Sequence, residues 1–220
     1  MDLAHPLRSV APSLDSAVLE VLAGTTRPLS GAQIAELART GSVSGVRLVL
    51  HRLVEHGLIS RDDRGRSSYF TANRAHLAWP AIEELLHLDT ALEGRIVSQV
   101  DTWALQPTAL AVFGSAARHE AGPESDIDLL AIEPALSPDR AEEWEAQVAD
   151  LATAVENWSG NREHLTTLTI HELTDHRRRA EPIVDAWLAD ARTLAGHNIR
   201  DLIAKVDHPS DKSDSRLHEG

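Results

Sequence analysis

The sequence has no cysteine, so it can form neither a disulfide nor a thiolate metal site. Its twelve histidines include no HExxH pattern, which excludes the usual helical zinc centre. No stretch approaches the roughly 18 apolar residues that cross a membrane, and the N-terminus has no basic start leading into an apolar run. These absences predict a soluble, cytoplasmic protein with no membrane partner and with ordinary hydrophobic cores.

Basic residues are too few to balance the acidic ones, and the formal net charge is −13. Residues 106–220 hold 22 acidic against 11 basic residues, whereas residues 10–78 hold 6 acidic residues and 8 arginines. A chain of this charge does not bind nucleic acid indiscriminately. Any DNA contact is therefore expected from a local arginine surface in the N-terminal part, and it should weaken steeply with salt.

Residues 10–78 show helical spacing followed by a change of period. Three apolar stripes indicate three short helices, the last of which closes at Gly57. Residues 58–60 and 68–71 are typical of two short strands, joined by the polar, glycine-containing tip at residues 61–66. This order predicts a helix-turn-helix followed by a wing.

The arrangement resembles the winged helix-turn-helix domains of bacterial transcription regulators of the MarR and ArsR type. The resemblance implies that the third helix lies in the major groove of DNA, while arginines of the wing contact phosphates or the minor groove. Winged helices also serve as protein-interaction modules, so that alternative stays open. The candidate DNA-binding residues are Ser42, Ser44, Arg47, His51, Arg52, Arg61, Arg64 and Arg66.

A long linking helix is predicted over residues 79–105, because apolar residues recur at helical spacing from Ile82 to Trp103. This stripe, together with the habit of winged-helix regulators to bind two half-sites, predicts a homodimer. Residues 106–206 are predicted to form a second domain, and the polar residues 207–220 a disordered tail.

The second domain is predicted to contain three strands, an acidic helix between the second and third strands, and helices after the third. The predicted fold class is therefore α+β, with an N-terminal winged helix-turn-helix, a long linking helix and a C-terminal α/β domain around a small mixed sheet. The strands are placed at residues 108–113, 126–132 and 164–170, and the acidic helix at residues 138–158.

A spaced motif follows the first of these strands: Gly114-Ser115, ten residues, then Asp126-Ile127-Asp128. Gly114 lets the backbone approach a ligand closely, and N–H groups at a helix start, with the Ser115 hydroxyl, can hold phosphates. Residues two apart on a strand face the same side, so Asp126 and Asp128 can share Mg²⁺. Simple turn and cap roles for these residues explain neither the joint spacing nor two carboxylates on one face of an apolar strand.

The residues from Phe113 to Arg118, with those from Ser125 to Leu130, resemble the minimal nucleotidyltransferase family of the DNA polymerase β superfamily. The resemblance implies a C-terminal nucleotidyltransferase domain that takes Mg²⁺ (or Mn²⁺) and a nucleoside triphosphate and transfers the nucleotidyl group to an acceptor hydroxyl. The family's acceptors include antibiotic hydroxyls, protein side chains and RNA ends, and the sequence does not choose among them. The implied metal ligands are Asp126 and Asp128, and the implied nucleotide-binding residues are Gly114, Ser115, Arg118 and Ser125.

Active members of this superfamily carry a third carboxylate on a later strand, where it completes the metal site and helps to deprotonate the attacking hydroxyl. The corresponding place in this sequence falls near Thr166, and the acid closest to it is Glu163. Glu163 or His164 can substitute after a shift of register, and Glu163 is taken as the candidate third catalytic residue beside Asp126 and Asp128. The alternative is that both are solvated residues at the entrance of the strand.

Three functions are compatible with these patterns. The first is a nucleotidyltransferase that its winged helix directs to DNA. The second is a transcription regulator whose degenerate nucleotidyltransferase domain senses a nucleotide. The third is an antitoxin-like partner of a toxin, because minimal nucleotidyltransferases often work beside a partner protein.

Overall fold

The computed structural model of the protein describes residues 1–206, and the tail predicted to be disordered, residues 207–220, lies outside the described residues. The chain divides into two compact units, with the boundary in sequence between Ala91 and Leu92. Within residues 1–206 no helix is both long enough and apolar enough to span a membrane.

The first unit combines short helices with a three-stranded antiparallel sheet of order β1-β3-β2. A capping box begins the third helix, because the Ser30 side chain accepts from the Gln33 N–H while the Gln33 side chain accepts from the Ser30 N–H. The elements of this unit are α1 (Pro6–Val10), α2 (Leu14–Ala23), β1 (Leu29–Ser30), α3 (Gly31–Ala38), α4 (Val43–Glu55), β2 (Ile59–Arg64), β3 (Ser67–Ala72) and α5 (Trp79–Leu86).

The hairpin of β2 and β3 is longer than the sequence pattern predicts. Its last pair joins Arg64 to Ser67, so only Gly65 and Arg66 form the turn. Gly65 has φ +64, the left-handed conformation that two-residue hairpin turns require. Four of the residues predicted as the loop therefore continue β2, and their side chains alternate between the two faces of the hairpin.

One apolar core holds the first unit together. It is formed by the inward faces of α2, α3 and α4, which the helical spacing predicts, and by single residues of the sheet. Trp79 of α5 belongs to the same core, and its indole N–H donates to Glu83 Oε1 at 2.7 Å. The buried residues of this core include Leu22, Ile34, Val46, Leu50, Leu53, Ile59, Phe70 and Trp79.

The single linking helix predicted over residues 79–105 is corrected by the structure, which has two helices there, α5 and α6 (Leu88–Val100). The break lies at His87, whose backbone leaves the helical region with φ −113 and ψ 30. The His87 ring Nδ1 lies 2.7 Å from the Glu83 carbonyl oxygen, where the continuing helix would place a backbone N–H. The His87 side chain competes for a helical carbonyl and so interrupts the helix. The break has no glycine or proline from which the sequence would predict it.

The apolar stripe of that segment is buried within the single chain from Leu92 onward, whereas Ile82, Leu85 and Leu86 are half-buried. Leu92, Ile96 and Val100 of α6 are all buried, and so is Trp103 beyond it. The homodimer, predicted from this stripe and from the habit of winged-helix regulators to bind two half-sites, stays a prediction. Sedimentation of the protein as a monomer would contradict it.

A four-stranded mixed sheet of order β6-β5-β4-β7 forms the centre of the second unit. The pairs β4·β5 and β4·β7 are antiparallel, whereas β5·β6 is parallel. A short 3-10 turn at Pro138–Arg140 precedes α8. The elements are β4 (Ala109–Phe113), α7 (Gly114–Ala117), β5 (Ile127–Ile132), α8 (Ala141–Ser159), β6 (Glu163–Leu168), α9 (Ile170–Arg178), α10 (Pro182–Asp190), β7 (Arg192–Gly196) and α11 (Ile199–Val206).

Strand β7 falls in a region for which the sequence predicts only helix. Its five residues form an edge strand, half-buried for most of their length and without the apolar-polar alternation that marks a strand. The strand ends at Gly196, where φ is +75 and an added Cβ would lie 2.5 Å from the Thr108 carbonyl oxygen. A side chain at this position would separate β7 from the start of β4.

Helices α9, α10 and α11 cover one face of this sheet. Ala111 and Phe113 of β4 and Leu130 of β5 pack there against Trp187 of α10 in a single buried cluster. The rings of Phe113 and Trp187 meet edge to face with 6.2 Å between their centroids. This packing fixes the end of β4 from which the Gly114-Ser115 turn departs.

Candidate functional site

The register of β4 and β5 brings the two halves of the spaced motif to one end of the sheet. Phe113, the last residue of β4, pairs with Asp128 near the start of β5. The turn at Gly114-Ser115 therefore lies beside the carboxylate of Asp128. This juxtaposition is what the Gly-Ser and Asp-x-Asp spacing predicts.

Gly114 is in direct contact with Asp128. Its φ is +69, and an added Cβ would lie 2.6 Å from Asp128 Oδ2. Glycine is therefore required here for two reasons: the backbone is left-handed, and the Asp128 carboxylate occupies the space that a Cβ would need. The glycine turn and the acidic strand form one packed structure.

Negative charge concentrates around Asp128. Burial raises the pKa of its carboxyl, the nearby His164 lowers it, and the charges of Asp126 and Asp190 raise it again. The His164 ring Nδ1 lies 3.8 Å from Asp128 Oδ1, and this ring is largely exposed. At an acid such as Asp128, whose ionised form is disfavoured by burial and by neighbouring acids, a bound cation stabilises the ionised form.

The ten-residue connection between Ser115 and Asp126 is anchored from inside by Asn161. This amide side chain is only 3% exposed. Its Nδ2 donates to the Gly122 carbonyl at 3.1 Å and to the Ser125 carbonyl at 2.9 Å. Because Asp126 follows Ser125 directly, the buried amide fixes the backbone that presents this acid. No periodic signal in the sequence points to Asn161.

Ser125, a predicted nucleotide-binding residue, takes part in the same connection. Its hydroxyl oxygen accepts from the Gly122 N–H at 3.0 Å, and its own N–H donates to the Gly122 carbonyl at 3.1 Å. The side chain thus closes a turn just before Asp126. Its hydroxyl hydrogen is still able to donate to a ligand.

Arg118 follows the short helix α7, and its side chain is held by two acids. Its Nε donates to Glu120 Oε2 at 2.9 Å, and its Nη1 donates to Asp190 Oδ2. These two hydrogen bonds raise the pKa of Arg118. No sequence pattern points to Asp190, which is 72 residues away from Arg118 in the chain and belongs to no motif.

The register of β5 and β6 places the candidates for the third acid. Glu163 aligns with Ile127, His164 with Asp128 and Thr166 with Leu130. Aligned residues share a face of the sheet, so His164 and Thr166 belong to the face of Asp128, and Glu163 belongs to the opposite face. The position predicted for a third carboxylate near Thr166 thus carries no acid on this strand.

Glu163 lies instead near a second acid of α8. Its backbone N–H donates to Glu156 Oε1 at 3.3 Å, while its own Oε1 is buried without a hydrogen-bond partner among residues 1–206. The pKa of Glu163 is raised to about 7 from the ordinary 4.5. Burial is the largest cause, followed by the charges of Glu156 and Asp128. The carboxyl therefore ionises at a cost to the folded state.

Replacing Glu163 with Gln is expected to stabilise the protein above pH 7 and to leave it unchanged below pH 4.5. The folded state binds this proton more tightly than the unfolded state, so stability falls as pH rises through the interval between the two pKa values. The gain at high pH should be about 1 kcal/mol, since solvent screens a half-buried group. Urea unfolding of both proteins at the two ends of the interval measures it. Equal differences at both ends would contradict the assignment.

The donors at the motif are those that Mg²⁺ prefers. Among residues 1–206, no three His, Asp or Glu side chains are arranged so that they could hold a metal ion together. Mg²⁺ is usually held by one or two carboxylates, several waters and the phosphates of the substrate, not by a cage made of protein alone. The carboxylate of Asp126 is exposed and that of Asp128 is half-buried, and together they fit such a site.

The predicted DNA-binding residues all lie on the exposed surface of the first unit, but most are already engaged. Three arginines and His51 are paired within the unit: Arg52 with Asp15, His51 with Glu55, Arg61 with Asp63 and Arg64 with Asp62. Ser42 caps α4 by accepting from the Gly45 N–H at 3.0 Å, and its hydroxyl meets that of Ser44 at 2.9 Å.

Two arginines of this surface differ from the others. Arg47 of α4 and Arg66 of the hairpin turn have no ion-pair partner among the residues that the structure describes. Both line a cleft of about 650 Å³ between the α3 and α4 helices and the hairpin, together with His51 and Arg61. Arg47 and Arg66 supply the unpaired positive charge of the cleft, and Glu55 is an acid of the same lining.

Comparison with known proteins supports the second unit's motif. The family model described as nucleotidyltransferase domain matches residues 95–178. The matched segment contains the Gly114-Ser115 turn, Asp126 and Asp128, so this part of the second unit is similar to a nucleotidyltransferase domain. No curated protein matches the chain.

Two solved structures show partial similarity. A crystal structure of a toxin-antitoxin with AMP-PNP is 18% identical, with 52% of this chain and 83% of the other covered and a TM-score of 0.36. A crystal structure of human N-acetylserotonin methyltransferase in complex with SAM is 21% identical, with 43% of this chain and 31% of the other covered and a TM-score of 0.28.

Proposed function

We propose that the second unit binds a nucleoside triphosphate with Mg²⁺, or with Mn²⁺, and transfers its nucleotidyl group to an acceptor hydroxyl. One observation carries the proposal. The Gly114-Ser115 turn packs directly on Asp128, beside Asp126, within a segment that matches the nucleotidyltransferase domain. The Gly114-Ser115 turn and the acids Asp126 and Asp128 therefore lie together at one end of the sheet.

Each residue of this site has a role that follows from its chemistry. Asp126 and Asp128 would hold the metal, which would supply positive charge against the charge that develops during in-line transfer. Ser115 and the neighbouring backbone N–H groups bind the terminal phosphates, and Arg118 adds a charged contact. Gly114 leaves room for the Asp128 carboxylate against the backbone of the turn.

Deprotonation of the acceptor hydroxyl needs a base on the Asp128 face of the sheet. Glu163, the candidate proposed from the sequence, belongs to the opposite face by register. His164 aligns with Asp128 and is exposed, so it is the better candidate to receive the proton. A loss of transfer in His164→Ala with unchanged nucleotide binding would be the result that supports this role.

Transfer is tested with α-labelled ATP, Mg²⁺ and candidate acceptors of the three chemical classes, namely small hydroxyl compounds, proteins and RNA ends. The wild type is expected to pass label to one of them, whereas Asp126→Ala/Asp128→Ala does not. Label on no acceptor, together with measurable Mg²⁺-dependent binding of ATP, would reject transfer.

That last outcome would support a second candidate, a regulator whose second unit senses a nucleotide. The observation in its favour is the absence of an acid from β6 on the face of Asp128, where Thr166 aligns with Leu130. Binding of a nucleotide needs only the turn and the acid pair, while turnover also needs a base. An antitoxin-like role beside a partner toxin is a third proposal, and co-purification with the product of a neighbouring gene tests it.

For the first unit we propose a winged helix that binds DNA. The order of helices and strands, the sheet order β1-β3-β2 and the exposed face of α4 support it. Arg47 on α4 is positioned for base or phosphate contacts and Arg66 for contacts from the wing. The paired Arg61 and Arg64 contribute less, because Asp63 and Asp62 cancel their charges.

Replacing Arg47 and Arg66 with Ala is expected to weaken DNA binding by about tenfold or more and to lower the salt slope by about one for each phosphate that the variant no longer binds. The matched control is Asp62→Ala/Arg64→Ala, which removes an ion pair and leaves the net charge unchanged. Fluorescence anisotropy with DNA from the protein's own promoter, at several salt concentrations, measures both. Equal losses of DNA affinity in the two double variants would contradict the proposal that the unpaired arginines bind the DNA.

A further inference from the structure

Asp190 lies at the motif without belonging to it. It is the last residue of α10, and its side chain is 13% exposed. Its Oδ1 accepts from the Gly114 N–H at 3.3 Å, and its Oδ2 accepts from Arg118 Nη1. One carboxylate therefore contacts both the backbone of the glycine turn and the cation that follows it.

This placement is electrostatically costly. The C-terminal end of a helix disfavours a negative charge, and Asp190 is also close enough to raise the pKa of Asp128. The bonds from Gly114 and Arg118 offset that cost, and they join α10 to the turn after β4. An apolar residue would fill the position without such a cost, so the acid is explained by what it holds.

Arg118 keeps binding capacity while it is held. A guanidinium has five N–H donors, and the bonds to Glu120 and Asp190 use the donors on Nε and one on Nη1. A guanidinium fixed by one carboxylate meets a phosphate with less loss of side-chain freedom than a mobile one. Asp190 thus fixes the orientation of the charged group that the nucleotide meets.

We propose that Asp190 is a positioning residue of the nucleotide site, which acts by orienting Arg118. The proposal rests on the proposed nucleotide binding of the second unit. Its distinguishing consequence is coupling: removal of Asp190 matters as long as Arg118 is present, and adds little once Arg118 is gone.

The test is calorimetric titration of the full chain with ATP and Mg²⁺, using Asp190→Asn, Arg118→Met and the double variant. Each single variant is expected to bind about tenfold more weakly, as is typical when a supporting partner is removed, and the double variant no more weakly than Arg118→Met. Asp190→Glu should recover part of the affinity. Asp185→Asn, which changes an exposed acid of the same helix, should bind as the wild type does.

Several results would overturn the proposal. Unchanged affinity in Asp190→Asn would show that the residue does not position the site, and tighter binding would show that its carboxylate competes with phosphate for Gly114 and Arg118. Independent losses that multiply in the double variant would exclude action through Arg118. If Asp190→Asn fails to fold, Asp190→Glu decides, and affinity equal to that of Arg118→Met with no recovery counts against orientation. No binding of ATP by the wild type would reject the proposed function itself, and this inference with it.

Discussion

Replacing Asp128 with Asn lowers the affinity for nucleotide in the presence of Mg²⁺ by at least about 100-fold, because loss of a mere supporting partner of a metal ligand already costs about 10- to 100-fold. Asp126→Asn has a similar effect, since both carboxylates share the same cation. The difference between titrations with Mg²⁺ and with EDTA disappears in both variants. Calorimetry with ATP measures the loss, and Asp150→Asn, on the exposed surface of α8, serves as the control.

The same Asp128→Asn variant should be more stable than the wild type at neutral pH without metal. Burial and neighbouring acids raise the pKa of Asp128, so its ionised form costs folding free energy above its ordinary pKa of 3.8. The amide removes that cost, and the gain disappears at lower pH. A site kept at the expense of stability is typical of function. A variant that loses both stability and binding would instead identify Asp128 as a structural residue.

Replacing Gly114 with Ala is expected to weaken nucleotide binding to a similar extent, about 100-fold. The new Cβ meets Asp128 Oδ2 at 2.6 Å, so the carboxylate or the turn must move. The variant also loses stability, by about 1–3 kcal/mol for the left-handed backbone alone. Thermal unfolding and calorimetry with ATP and Mg²⁺ measure the two effects separately.

Gly160→Ala is the matched control for this prediction. Gly160 belongs to the same unit and has φ +70, but an added Cβ there meets nothing within 4 Å. It therefore reports the backbone cost without the clash. Both variants should lose stability because of the left-handed backbone, and Gly114→Ala should lose more because of the clash with Asp128. Gly160→Ala should bind nucleotide normally. Normal binding by Gly114→Ala would contradict the close packing of turn and acid.

The motif itself is predictable from the sequence because its geometry is local. Asp128 lies in β5 and Asp126 directly precedes that strand, and a Gly-Ser pair at the end of β4 returns to them when the two strands pair. The pairing of Phe113 with Asp128 follows from that connection. The register of β5 and β6 cannot be predicted in the same way, because a 19-residue helix separates the two strands. For this reason chain order alone favours Glu163, although its side chain belongs to the other face.

The supporting residues are not predictable, since they have no sequence period. Asn161 reaches carbonyls 36 to 39 residues away, and Asp190 reaches Gly114 across 76 residues. Only the packed structure brings them to the motif. The break at His87 is a comparable case, because a side-chain bond to the Glu83 carbonyl interrupts the helix within an otherwise regular pattern.

In the first unit the sequence predicts the exposed arginines but not their pairing. The sequence pattern predicts a loop at residues 61–66, in which Asp62 and Asp63 only dilute the positive charge. Because β2 continues to Arg64, residues two apart share a face and form ion pairs within the strand. Of the predicted DNA-binding arginines, Arg47 and Arg66 are the two without an ion-pair partner among residues 1–206, and this changes which substitutions are informative.

The most direct test of the nucleotide site follows backbone amide signals while Mn²⁺ is added in substoichiometric amounts to the protein with ATP. A paramagnetic ion broadens nearby resonances first, so its position is reported residue by residue. The proposed site predicts early and selective loss of the Gly114, Ser115 and Asp128 signals, while those of Arg47 and Arg66 persist. Uniform broadening, or a first loss elsewhere in the chain, would contradict a metal-nucleotide site at this motif.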